Sequence, residues 1–159
     1  MSTITYLRQT EIFFDLTASQ LELIATICTE RTFAIGETVF EENTTGDELY
    51  IITNGEIEIV VTPAVIGKES AEEPRVLARL RRGQSFGEVA LVDEGVRSAG
   101  ARAAEKGTTL IIIPRDKIMM LCETYPQLGY KLMRNLAADL AMKIRNTDLQ
   151  IRDFMAQKR

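Results

Sequence analysis

Histidine and tryptophan are absent from this 159-residue chain, cysteine occurs twice and proline four times. The missing histidine removes the usual general base near neutral pH, the Ser-His and Cys-His nucleophile systems, His-ligated haem and any His-built zinc or cupin-type metal site. Two thiols are too few for an iron–sulfur or zinc cluster. Cys28 and Cys122 lie inside the apolar stretches LIATICTE and IMMLCETY, where free, buried thiols are expected. No window of about 18 apolar residues exists to span a bilayer. The opening MSTITYLRQTE lacks the basic end and apolar run of a signal peptide, so a cytoplasmic protein with no membrane partner is expected.

What remains is a globular balance of 45% hydrophobic and 26% charged residues. A chain of this length makes one domain, 1–159, able to bury roughly 70% of the surface its unfolded form exposes. The net charge of −4 hides an asymmetry. Residues 1–62 hold 2 basic and 11 acidic groups, whereas residues 131–159 hold 7 basic and 3 acidic ones. Such a chain is not expected to bind nucleic acid through a general basic surface.

Along the chain, residues 1–31 read as a helical segment. Thr17-Ala-Ser-Gln is a start signal, and Leu21, Leu23, Ile24 and Ile27 follow at helix-like spacing, predicting a helix of about 10–12 residues. From Thr32 to Pro114 short β-rich runs alternate with glycines, the texture of an all-β roll or barrel. In ELYIITNGEIEIVV, Asn54-Gly55 predicts a type I′ turn, with Glu56 and Glu58 outward and Ile57 and Ile59 inward. Residues 62–74 read as an exposed, mobile loop, and Val76, Leu77 and Leu80 resume the strand alternation. Arg79, Arg81 and Arg82 read as a solvated strand end able to raise the potential for an anion nearby. Over 115–159 the period is helical. Leu128, Leu132, Leu136, Leu140, Ile144, Thr147, Ile151 and Phe154 draw a stripe along roughly 30 residues, too long to bury on a small roll. The excess calls for a partner, most simply a second copy in a homodimer.

The most informative stretch is FGEVALVDEGVRSAGARA, from Phe86 to Ala103. Two glycines and an apolar turn open a brief helix at about Glu88–Val92, whose N-terminal amides converge where the dipole favours an anion. Nine residues after Glu88, Arg97 offers a guanidinium fork for two phosphate oxygens, Ser98 a hydroxyl and Ala99 space. A carboxylate there would repel phosphate unless it addresses a neighbouring hydroxyl, as a ribose 2′-OH provides. The plain alternative is a mutual surface salt bridge between Glu88 and Arg97.

These residues resemble the phosphate-binding cassette (86–99) of the cyclic nucleotide-binding domain family, and the glycine-punctuated run FAIGETVFEENTTGDELYIITNGEIEIV resembles the strands that precede it there. The resemblance implies a mainly β fold with flanking helices: a jelly-roll-like cyclic nucleotide-binding β-roll, an N-terminal helix and a long C-terminal helix. It gives Glu88 the ribose, Arg97 the phosphate, Phe86, Gly87, Val89 and Ala90 the amide-bearing turn, and Ser98 and Ala99 the small residues beside the anion. Val96 stands where many members have proline, which removes no ligand. By the same resemblance Ile59 and Leu77 form an apolar wall, and Lys143, Thr147 and Asp148 of the long helix face the purine. Asp148 could accept from the amine of adenine or from the N–H edge of guanine.

Ser98 in place of threonine leans the expectation toward cAMP over cGMP. The implied function is a non-catalytic sensor without further cofactor that couples the ligand to helix position, acting through its own dimer or a separate protein partner. The alternative is a ligand-free scaffold of the same fold. An enzyme would need a metal cluster or an activated base, and a transcription regulator a reading helix after residue 150, where IRDFMAQKR is too short.

Overall fold

A computed structural model of the chain describes residues 2–63 and 73–158. Most of the expected loop 62–74 lies outside the described residues. In chain order the elements are α1 (Thr3–Gln9), a 3₁₀ turn (Glu11–Phe13), α2 (Ala18–Ala25), β1 (Thr29–Phe33), β2 (Thr38–Phe40), β3 (Glu48–Asn54) and β4 (Glu56–Val61). Then come β5 (Arg75–Arg81), β6 (Ser85–Phe86), a second 3₁₀ turn (Glu88–Leu91), β7 (Gly100–Ala103), β8 (Thr108–Pro114), α3 (Arg115–Thr124) and α4 (Pro126–Gln157). The strands form two four-stranded sheets, ordered β1-β8-β3-β6 and β2-β7-β4-β5, every pairing antiparallel. This is the β-roll with N-terminal helices and a long C-terminal helix that the cassette's resemblance implied.

The apolar runs of β3 and β8 are explained by burial on both faces, since a strand between two layers has no solvent side. Tyr50, Ile52 and Leu110 point into the roll with Phe33, Ile57, Phe86, Ala101 and Ala103. Their alternates Leu49, Ile51, Ile111 and Ile113 point the other way, into a core with Leu7, Ile12, Phe13, Leu21, Ile24, Ile118, Leu128, Leu132 and Leu136 from the helices. Each such side chain removes about 1.5–3 kcal/mol worth of apolar surface from water, so β3 and β8 anchor both layers.

Several local expectations are corrected. Thr17 caps α2 through a reciprocal capping box with Gln20, but the helix runs only eight residues because the chain turns at Thr26 to enter β1 at Thr29, three residues before the expected change of texture. The Asn54-Gly55 turn is not type I′. Gly55 has φ +84°, but Asn54 is not left-handed; it ends β3 with its amide donating to the carbonyl of Gly107. Any side chain at Gly55 would collide with Thr108, whose Oγ1 lies 2.4 Å from the would-be Cβ.

Glu56 and Glu58 are not solvated. In register, Glu56 lies opposite Arg81, and Glu58 opposite Arg79 on one side and Arg102 on the other. Arg79 bridges both carboxylates, Arg102 meets Glu58 at 2.8 Å, and Glu56 is left only 7% exposed. The hydrogen bond from Arg102 holds Glu58 below the usual carboxylate range. Arg79 and Arg81 are therefore committed to the sheet. Cys28 and Cys122 are free but half-buried, and burial pushes the Cys28 thiol up to about 12.

Helix α4 is 32 residues long, about 48 Å at 1.5 Å per residue. Leu128, Leu132 and Leu136 are buried and Leu140 packs at the edge of the helical core, whereas Ile144, Ile151 and Phe154 are 52–63% exposed. The stripe thus continues past the body of the fold. No helix among the described residues is long and apolar enough to cross a membrane.

Candidate functional site

A cavity of about 1070 Å³ opens between the second sheet, the segment 86–99 and the face of α4. Phe86, Gly87, Glu88, Val89, Ala90, Arg97, Ser98 and Ala99 line it, with Ile59 on β4, Leu77 on β5, and Lys143 and Thr147 on α4. Leu77 is 63% exposed at the mouth. Asp148 is not brought to this wall. A 100° step per residue turns it away from Thr147, and its place is taken by Asn146 and Gln150.

The expected short helix is a 3₁₀ turn, Glu88–Leu91, entered from Gly87 at φ +79°. Ala90 donates its amide to the carbonyl of Gly87 at 3.1 Å, so this amide is already used. The first amides of such a turn, those of Glu88 and Val89, have no acceptor within it.

Arg97 is placed by a short antiparallel contact. Its amide donates to the carbonyl of Thr44, its carbonyl accepts from the amide of Asn43, and Val96 bridges Thr45. The guanidinium lies 3.8 Å from the centroid of the Phe40 ring, and Nη2 donates to the carbonyl of Glu48 at 3.2 Å. Two glycines make the space. A Cβ on Gly46 would stand 2.4 Å from the Arg97 Cζ, and one on Gly87 2.9 Å from Nη1. The floor is aromatic: Tyr50 and Phe86 stack at 5.0 Å, and Tyr50 donates its hydroxyl to Glu48 at 2.9 Å. Burial, reinforced by this bond to Glu48, holds the Tyr50 phenol above its ordinary value.

The expected alternative of a Glu88–Arg97 salt bridge does not form. Among the described residues Arg97 has no carboxylate partner, while Glu88 pairs through Oε1 with Lys143. Glu88 is 4% exposed, and its Oε2 is buried with no hydrogen-bond partner. Lys143 also lies 3.0 Å from Asp139 on its own helix. Burial pushes the Asp139 carboxyl up, with the Glu11 carboxylate adding to it.

Sequence reasoning missed Asp139, Glu11 and Phe40. The i,i+4 spacing of Asp139 and Lys143 was a usable signal. For Phe40 and Glu11 there was none, because their meeting with the cassette depends on tertiary packing.

Among the described residues the arrangement offers a guanidinium without a carboxylate partner, the first amides of a 3₁₀ turn, a buried carboxylate oxygen that accepts no hydrogen bond, and an apolar wall. These suit an anion joined to a hydroxyl-bearing sugar and a flat ring. Residues 30–125 match the family described as the cyclic nucleotide-binding domain. The chain is similar to the cyclic AMP receptor protein of Thermus thermophilus, at 31% identity over 140 residues covering 88% of this chain and 60% of that one. It is also similar to cGMP-dependent protein kinase, isozyme 1, of Drosophila melanogaster, at 27% identity over 89% of this chain and 18% of the kinase. The crystal structure of the Thermus thermophilus catabolite activator protein superposes with a TM-score of 0.75 at 31% identity, covering 92% of this chain and 63% of that one. The chain thus spans less than two thirds of the length of each of these relatives. By the match over 30–125 and the shared roll, the chain belongs to the cyclic nucleotide-binding domain family.

Proposed function

We propose that this chain is a non-catalytic sensor that binds a cyclic mononucleotide in the cavity and reports it through the position of α4. The observation that carries this reading is a pair of groups on one cavity: an Arg97 guanidinium that has no carboxylate partner among the described residues and a buried Glu88 Oε2 that accepts no hydrogen bond from them. Arg97 and the amides of Glu88 and Val89 take the cyclic phosphate, with Ser98 donating beside them and Ala99 leaving room. Glu88 Oε2 accepts from the ribose 2′-OH. Ile59 and Leu77 cover one face of the purine, and Thr147 with its neighbours on α4 meets its edge.

Because Lys143 ties α4 to Glu88, ligand at Glu88 bears directly on where the helix rests. Ser98 favours cAMP over cGMP. The two relatives named above are, by name, a receptor for the first and a kinase dependent on the second. The exposed stripe Ile144, Ile151 and Phe154 supports a homodimer through α4.

Isothermal titration tests the reading. Saturable binding of cAMP at about micromolar Kd, near −8 kcal/mol, is expected, with cGMP weaker. Arg97→Ala should weaken it by several kcal/mol, since a buried phosphate loses its charged partner. Flat titrations with both nucleotides would leave only the scaffold reading.

A further inference from the structure

Around the single ammonium of Lys143 stand three carboxylates from three elements: Glu88 on the cassette turn, Asp139 on α4, and Glu11 on the first 3₁₀ turn. All four residues line the cavity, whose other charged lining groups are Arg82, Asp93 and Arg97. Glu11 is held near α4 by Asn135, one turn before Asp139, whose amide donates to the carbonyls of Ile12 at 3.0 Å and Phe14 at 2.7 Å. Asp139 Oδ2 is buried and, although 3.0 Å from the ammonium, accepts no well-directed hydrogen bond; Glu88 Oε2 is buried and accepts none. One cation is therefore divided between two carboxylates, with a third close by, in a cavity whose proposed ligand is itself an anion.

We propose that Asp139 is a positioning residue that sets how much of the Lys143 charge reaches Glu88, and that it takes up one proton from solvent when an anionic cyclic nucleotide enters the cavity. The inference rests on the cyclic nucleotide reading above. An ionised Asp139 competes with Glu88 for the ammonium. A protonated Asp139 releases Lys143 wholly to Glu88, neutralising the one carboxylate that must sit beside the phosphodiester. Burial and the Glu11 carboxylate already hold Asp139 above the usual carboxylate range, and an arriving anion acts in the same direction. Binding and protonation therefore favour each other, and affinity rises as pH falls through the range where Asp139 titrates. Burial lowers Lys143 from its ordinary value, and the Glu11 carboxylate acts against that.

The test is cAMP titration across a pH series from about 4, the ordinary carboxylate value, to about 8, repeated in two buffers of different ionisation enthalpy to count protons taken up, for the natural chain, Asp139→Asn and Glu11→Gln. One linked proton limits the slope to about tenfold in Kd per pH unit. The natural chain should tighten toward acid with proton uptake. Asp139→Asn, which keeps the shape of the protonated acid, should bind with the natural chain's acid-limit affinity at every pH and lose the acid-side slope. A merely structural role would instead weaken binding without flattening the profile. Glu11→Gln, an exposed change, should shift the slope to lower pH and covers the case in which Asp139→Asn does not fold. A flat natural profile, or an Asp139→Asn or Glu11→Gln profile that keeps the natural slope, overturns the proposal while leaving the sensor reading intact. Absence of cAMP binding by the natural chain at any pH sinks both.

Discussion

Gly46 is a buried residue with no ligand role of its own, yet replacing it with alanine should disable the anion site. A Cβ there would stand 2.4 Å from Cζ, 2.5 Å from Nε and 2.7 Å from Nη2 of Arg97, so the guanidinium must leave the position it holds over Phe40. The obstruction is the far end of a flexible side chain, and Gly46 does not have a positive φ, so the backbone tolerates the change. Stability should then move little. Loss of the cation–π contact costs about 0.5–2 kcal/mol, and the stiffer unfolded chain returns about 0.4–1 kcal/mol, so Tm should fall by no more than about 6 °C. Affinity should move more. Displacing a charge-assisted donor from a phosphate costs about 1.5–3 kcal/mol, or roughly ten- to hundredfold in Kd. Titration calorimetry with cAMP, paired with thermal unfolding, separates the two effects. A Gly46→Ala protein with natural affinity would refute the claim that Arg97 must occupy this position to hold the phosphate.

Three further outcomes are expected. The natural chain should discriminate against 2′-deoxy-cAMP, and Glu88→Gln, which removes the charge facing the ribose hydroxyl, should erase most of that discrimination; equal discrimination in both proteins would detach Glu88 from the sugar. Ile151→Glu, placing charge in the exposed α4 stripe, should halve the mass seen in light scattering without changing the helical signal, whereas an unaltered mass removes α4 from any dimer contact. Cys28, held up to about 12, remains a thiol through pH 8.5, so iodoacetamide should modify it about a hundredfold or more slower in the native protein than in denaturant. Comparable rates would show that the thiol is not desolvated.

What the sequence made legible follows from how local each feature is. The capping box at Thr17, the alternation in β4 and the cassette from Phe86 to Ala99 are written in neighbouring residues, and each was readable as such. The buried half of the α4 stripe, Leu128 to Leu136, follows from period alone. The rest depends on partners distant in the chain. Glu56 reads as a solvent residue until β5 sets Arg79 and Arg81 against it, more than twenty positions later. Gly55 signals a turn, but the turn packs against Thr108 and Gly107, beside it in the sheet yet more than fifty positions later in the chain. Glu88 and Arg97, nine positions apart, invited pairing with each other; the fold instead gave Glu88 to Lys143 and set Arg97 on Phe40. No local pattern carries that choice, because it depends on α4 crossing the mouth of the roll.

Determining the structure of the chain with cAMP bound tests the central claim most directly. The account predicts the cyclic phosphate within hydrogen-bonding distance of the Arg97 guanidinium and the ribose 2′-OH donating to Glu88 Oε2. A nucleotide held elsewhere on the surface, or a cavity left empty beside those two groups at saturating ligand, would contradict it.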